Sequence, residues 1–462
     1  MKRWTSSWRY VPVDYGYELG CYENTTQTAT FRNNLEGTAV RVRLNNRYAE
    51  APMEITHGSL WLRDRESGKL SRELPLTLNG ETRLLLPPGE APYCDPIPCP
   101  VSAREDFIVQ LYFEKKTPIR CVCVTWAALS WGSTQKTGDF GKTDALGFTV
   151  KSKLMPGLSA DPYPNQYVAG ISDISVETEN SPCLIGLFGD SITQMSYFSD
   201  SLIQLLYNKY PGQCAVINGG ICGNRVQKSH PVIEMMPGKG AQFGISGIDR
   251  FRADLCGDGA PDVTFILEGV NDCSHSIVFR EPDVPTARDI RDALANVADQ
   301  AKAAGSRVVC STIMPFGAWG EPWRDQVEGI RQEVNRLLRE ETPGDILVDL
   351  DAVMPGPARR DAGRDASGGR GPPRLAGGRK NGPGGGGSHG PPAGKPIDIR
   401  KQEPKGSCFL TIIFPPAGPG PSGCQARSTC SRRRNRGYRG FRARSRVPAP
   451  PSGIDGRPGW AQ

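Results

Sequence analysis

Two hydrophobic periods divide this chain. In the first part, apolar positions recur at every second residue. Val40, Val42 and Leu44 alternate with Arg41 and Arg43, and Phe107, Val109, Leu111 and Phe113 repeat the pattern. That is the spacing of half-buried strands. Ile119 to Trp126 reads as a further strand, and the stretches Ser67-Gly68, Leu78-Asn-Gly80 and Pro87-Pro-Gly89 supply turns. Many short strands with little helical periodicity predict a β-sandwich over residues 1–180. From Pro182 the period switches to alternating strand and helix. Strands are expected at 183–189, 214–218, 262–268, 306–313 and 345–350, and helices at 195–210, 285–304 and 324–341. In the first helix Phe198, Leu202, Leu205 and Leu206 share a 3.6-residue face; in the last, Ile330, Val334, Leu337 and Leu338 do. Such alternation over 181–354 predicts an α/β domain, a parallel sheet between two helix layers in flavodoxin-like fashion. A functional site is then expected at the carboxyl ends of the strands.

The net charge of +7 is unevenly placed. Residues 355–462 hold 21 Lys+Arg and 5 Asp+Glu, while residues 1–354 hold 35 and 44. The body is acidic and the basic character belongs to the tail, so the total gives no reason to expect nucleic-acid binding. The same tail holds 23 Gly and 17 Pro among its 108 residues, a composition of disordered chains. No run of 18 apolar residues occurs, so no membrane span is expected; Met1-Lys-Arg3 is not followed by the apolar core of a signal peptide. The expected compartment is cytoplasmic. The 14 cysteines are scattered, several within apolar strands (Cys121, Cys123, Cys183, Cys310), without a Cys-x-x-Cys pair. They read as buried thiols rather than metal ligands.

Candidate chemistry sits at three strand ends. The run Leu184-Ile-Gly-Leu-Phe188 leads into Gly189-Asp190-Ser191, which puts a serine hydroxyl at the mouth of the sheet beside free N–H groups of a helix start. Ser191 or Thr193 would also serve as a helix N-cap. A second strand ends in Gly219-Gly-Ile-Cys-Gly223-Asn-Arg225, and a third in Glu268-Gly269-Val-Asn271-Asp272. Gly189-Asp190-Ser191, Gly223 and Gly269-Val270-Asn271-Asp272 resemble, in order and spacing, the first three sequence blocks of the SGNH (GDSL-type) hydrolases. The resemblance implies a serine esterase with Ser191 as nucleophile, and an oxyanion hole made of the Ser191 and Gly223 N–H groups and the Asn271 side-chain amide. Gly189, Asp190, Gly269 and Asp272 would support these groups, and Arg225 is a candidate to line the cleft. Family members use a covalent acyl-enzyme on short acyl esters, often acetyl groups on carbohydrate, without metal or organic cofactor. The stretch 31–47 looks like the β-domain that precedes some of these enzymes; a packing role is favoured over sugar binding.

One part is missing. The family takes its general base from a fourth block, Asp-x-x-His, after the last strand, and beyond Asp349-Leu-Asp351 no such block occurs. The histidines are His57, His230, His275 and His389. Asp272-Cys-Ser-His275 spells the motif, but its Asp belongs to the third block, which leaves His275 a weak candidate. The abrupt change after Met354 reads either as a disordered basic tail or as a shifted reading frame in a GC-rich gene. The chain is therefore expected to be impaired as an esterase. Two other classes stay open: a non-catalytic carbohydrate- or ester-binding protein, and an interaction protein acting through its basic tail. Acyl and alcohol specificity and oligomeric state are not readable from these residues.

Overall fold

The computed structural model describes residues 2–125, 130–140, 166–196, 198–316 and 324–354, all within one compact unit. Trp126, the tail after Met354 and His389 lie outside the described residues.

The alternating stretches pair as expected. One antiparallel sheet runs in the order Arg3–Arg9, Ile171–Thr178, Gly37–Leu44, Ile97–Val101; a second runs Trp131–Thr137, Thr25–Arg32, Glu105–Phe113, His57–Asp64, Leu74–Pro75. Val40, Val42 and Leu44 of the first meet Phe31, Phe107, Val109 and Leu111 of the second in one apolar cluster. Trp8 packs on Phe31 at 4.4 Å and edge-on to Trp131 at 5.5 Å. This is a β-sandwich closed by its own last strand, Ile171–Thr178, beside its first. The strand expected from Ile119 is split. Thr117–Ile119 pairs with Gly20–Tyr22, whereas Cys121–Thr125 pairs with Gln166–Val168 and Val13–Asp14. Arg120 turns out between them to meet Asp14 and Glu50.

The second half is a five-stranded, all-parallel sheet. Its strands, first to fifth in the chain, are Cys183–Gly189, Cys214–Gly220, Val263–Leu267, Arg307–Ser311 and Ile346–Val348. In space the order is second, first, third, fourth, fifth. The order reverses between the first and third strands, the switch point at which doubly wound sheets bind ligands. Ala287–Ala303 and Arg324–Glu340 form as predicted, the former opened by a capping box of Thr286 and Asp289.

The helix expected at 195–210 differs. It is a single turn, Ser191–Gln194, then a break, then Ser199–Lys209. Ser196 is left-handed (φ 65°), and its hydroxyl bonds Thr125 Oγ1 at 2.5 Å. The buried face is Ser199, Asp200, Ile203, Leu206 and Tyr207, while Leu205 is 45% exposed. A hydrogen bond from Ser130 to the buried Asp200 carboxylate turns that face inward.

The sandwich packs directly on the parallel sheet. Val11 N–H donates to the Asn218 carbonyl (3.2 Å), alongside the second strand. The Asn34 amide donates to the carbonyls of Tyr210 (3.0 Å) and Cys214 (2.8 Å). Arg9, buried, bridges Asp173 of the sandwich (2.7 Å) and Asp258 of the sheet domain (2.9 Å). These contacts agree with a packing role for the β-domain.

Candidate active site

The first strand needs glycine at its end. A Cβ on Gly189 would lie 2.2 Å from the Leu267 carbonyl oxygen and 2.3 Å from Thr193 Oγ1. Only a bare backbone passes this close to the third strand. Asp190 follows as N-cap, its carboxylate accepting from Ile192 N–H at 2.9 Å, and Ser191 begins the helical turn. Ser191 is half-buried, and its hydroxyl and N–H have no partner among the described residues. In this structure Asp190, not Ser191 or Thr193, is the cap.

The second strand delivers Gly223 at φ +72°, where an added Cβ would fall 2.2 Å from the Phe243 ring. Two bonds tie this loop to the serine turn: Ile221 N–H to the Gly189 carbonyl (3.0 Å) and Cys222 N–H to Gln194 Oε1 (2.8 Å). The third strand delivers Gly269 at φ +111° and the helix Val270–Val278, which the periodicity had not predicted. In its first turn Asn271 donates one amide N–H to the Asn224 carbonyl (2.8 Å). A side-chain amide carries two N–H groups, so the second has no partner among the described residues. Asp272 accepts from Val226 N–H (2.9 Å) and Gln227 N–H (3.0 Å), fixing the second loop from the far side. Ser191, Gly223 and Asn271 thus stand just past three strand ends, and the Gly223 loop is bonded to both of the other segments.

Beneath them lies a floor of buried charge. Burial raises Asp190 to about 7 and Asp272 to about 6. Glu268 is held well above the ordinary carboxyl range by burial and by the neighbouring Asp190, and neither of its oxygens has a hydrogen-bond partner. Its nearest cation is Arg250, at 3.6 Å. Neither Glu268 nor Arg250 was singled out from the sequence, although a glutamate closing the run Phe265-Ile-Leu-Glu268 breaks an otherwise apolar strand. That break was the available signal.

Arg225 does not face an open cleft. It is buried, paired with Glu281 at 2.7 Å, and bonded to the Ser229 carbonyl. His275, one helical turn beyond Asn271, is also buried. Its ring lies between Phe243 (5.7 Å) and Phe279 (5.2 Å), and Nδ1 has no partner. Burial first, and then the nearby Arg225 charge, lowers it to about 4. It is neutral at pH 7 but far too weak a base for efficient proton abstraction there. His230 contacts the Pro231 carbonyl (3.3 Å), and His57, in the sandwich, pairs with Asp139 (3.0 Å). Among the described residues no histidine bonds Ser191, and no group of His, Cys, Asp and Glu could hold a metal ion. The cysteines Cys121, Cys123, Cys183 and Cys310 are unpaired thiols, pushed up by burial. No described helix is long and apolar enough to cross a membrane.

Comparison with known proteins adds the following. No curated protein matches the chain. Among solved structures, a variant of the esterase AlinE4 is 13% identical and covers 42% of this chain and 88% of that one at a TM-score of 0.27. The acetyl xylan esterase AlAXEase is 20% identical, covering 37% and 78% at 0.28. A variant of Axe2, an acetyl xylan esterase from Geobacillus stearothermophilus, is 20% identical, covering 39% and 84% at 0.28. The model of the GDSL-like lipase/acylhydrolase family matches residues 187–375, running past Met354, and the only histidines in that stretch are His230 and His275. Residues 187–375 thus match a GDSL-like lipase/acylhydrolase domain, and the three blocks in that stretch stand at the carboxyl ends of a parallel sheet.

Proposed function

We propose that this chain is an SGNH-type serine acylhydrolase for short acyl esters, such as acetyl groups on carbohydrate. In this reading Ser191 is the nucleophile, and turnover is crippled because no histidine among the described residues bonds it as a base. The observation that carries it is the serine turn itself: a hydroxyl and N–H without a partner among the described residues, on a turn bonded to the Gly223 loop, which is in turn bonded to Asn271. In the reaction Ser191 Oγ would attack the ester carbonyl. The Ser191 and Gly223 N–H groups and the second Asn271 N–H would receive the developing oxyanion. Asp190 and Asp272 hold the turn and the second loop; neither is asked to move a proton. No metal or organic cofactor is needed for this chemistry.

The proton on Oγ is the difficulty. Removing the histidine of a serine-hydrolase triad costs about a millionfold in turnover, with roughly a thousand- to ten-thousandfold over water left from oxyanion hole and binding. The expected result with a p-nitrophenyl ester panel is weak hydrolysis of the acetate that disappears in Ser191→Ala. Grafting an Asp-x-x-His segment after Met354 should restore turnover by orders of magnitude. A second reading, an ester- or carbohydrate-binding protein without turnover, is favoured by the buried, low-basicity His275. It predicts saturable ligand binding with hydrolysis no faster than in Ser191→Ala.

A further inference from the structure

Arg250 bonds two of the three strand ends behind the candidate site and a residue of the Gly223 loop. It lies on the short helix Gly247–Phe251, opened by the Ser246 cap, and its guanidinium is buried. Nη2 donates to the Gly189 carbonyl (3.0 Å), the last of the first strand, and Nη1 to the Gly219 carbonyl (2.6 Å) of the second. Nε donates to Asn224 Oδ1 (2.8 Å), and Nη1 also meets Asp254 (3.1 Å). The plane stacks on the Phe188 ring at 4.1 Å. The fork thus bonds the strand end that launches Ser191 and the residue next to Gly223. Through Asn224, whose carbonyl accepts from Asn271, it reaches the third donor. The Asn224 amide in turn fixes the Phe243 and Ile245 carbonyls (2.7 and 2.8 Å), seating the ring that covers Gly223.

We propose that Arg250 is a positioning residue that sets the mutual register of the Ser191, Gly223 and Asn271 donors. This rests on the acylhydrolase reading for its purpose, but not for its geometry. The competing role is charge balance alone, since Glu268 and Asp254 lie at 3.6 and 3.1 Å. The two roles make different demands. Charge balance needs one positive charge, or the removal of one carboxylate. Register needs a planar fork whose donors diverge to Gly189, Gly219 and Asn224 at once, which a lysine cannot supply.

The test is amide hydrogen exchange across residues 219–226 of the full chain, read beside thermal unfolding and the rate of Ser191 labelling by a fluorophosphonate. The variants are Arg250→Lys and the double Arg250→Gln/Asp254→Asn, the second removing an ion pair whole and so keeping the charge count level if the first folds poorly. The expected result is exchange at Ile221 and Asn224 faster by about tenfold or more in both variants. Cooperative unfolding should persist in the double variant, and labelling should fall by at least the same factor. Exchange that returns to the wild-type pattern in the double variant, or is unmoved in Arg250→Lys, would overturn the proposal and leave charge balance. Faster exchange in a chain whose Ser191 never takes the label would uphold the register role while refuting the acylhydrolase reading.

Discussion

The sandwich and the parallel sheet bury charge in opposite ways. In the sandwich, buried charge is matched at contact distance: Arg9 meets Asp173 and Asp258, and Asp106 meets Arg63 and Arg65 at 3.1 and 3.0 Å. The space between its sheets is filled by Phe31, Phe107, Phe113 and Trp131. At the strand ends of the parallel sheet, three carboxyls, Asp190, Glu268 and Asp272, crowd into one region, and neither side-chain oxygen of Glu268 has a hydrogen-bond partner among the described residues. A carboxylate left so is costly, and such a site stays protonated instead. The sandwich is arranged for stability. The floor of the sheet sacrifices some of it to hold three loops in place, which is where perturbed acids collect in functional sites.

Substitutions can break that contrast. The largest stability losses should come from Phe31→Ala and Arg250→Gln, each about 3–5 kcal/mol in urea unfolding, one from a core cavity and the other from uncompensated buried charge. They separate in a second step. Asp254→Asn, which removes the carboxylate paired with Arg250 at 3.1 Å, should recover a good part of the Arg250→Gln loss and none of the Phe31→Ala loss. Equal recovery, or none in either, would erase the distinction. Next comes Gly223→Ala, which forces a positive φ on a side chain and drives Cβ into Phe243. A cost of about 1–3 kcal/mol is expected, with partial relief in Gly223→Ala/Phe243→Leu.

The smallest effect concerns pH. Asp190, Asp272 and Glu268 are raised above their unfolded values. Between about pH 4 and 7 the folded state therefore holds more protons than the unfolded one, and these groups lose stability as pH rises through that window. His275, lowered to about 4, acts the other way, losing stability as pH falls below its unfolded value. The net curve mixes both, so the informative quantity is a difference. Glu268→Gln should melt higher than the wild-type chain by roughly 2–4 °C at pH 7, about 1 kcal/mol, and by nothing at pH 4. A pH-independent difference would mean that Glu268 is ionised or paired in the fold.

These two kinds of burial explain what could be read from the residues in advance. Apolar periodicity located the sandwich strands, the five parallel strands and the helices 287–303 and 324–340, because a two-residue or 3.6-residue stripe reports which face is covered. The same signal misplaced the face of the helix after Ser191, where the buried positions include Ser199 and Asp200 and hydrogen bonds decide the rotation. Block spacing pointed to Ser191, Gly223 and Asn271, which lie just past three strand ends of the parallel sheet. Arg225 looked like a residue for a cleft and is instead locked to Glu281, since an arginine's sequence neighbours do not say where its fork points. Arg250 and Glu268 were silent for a related reason: their roles come from carbonyls and charged groups 18 to 78 residues away.

The central claim is that Ser191 is a nucleophile beside the proposed oxyanion donors and that no histidine among the described residues activates it. Its most direct measurement is the rate and position of fluorophosphonate labelling of the full chain at pH 7, read by peptide mass spectrometry. The account predicts a single adduct on Ser191, formed slowly, lost in Ser191→Ala and unchanged in His230→Ala and His275→Ala. An adduct on another serine, or rapid labelling of Ser191 that vanishes in His275→Ala, would contradict it.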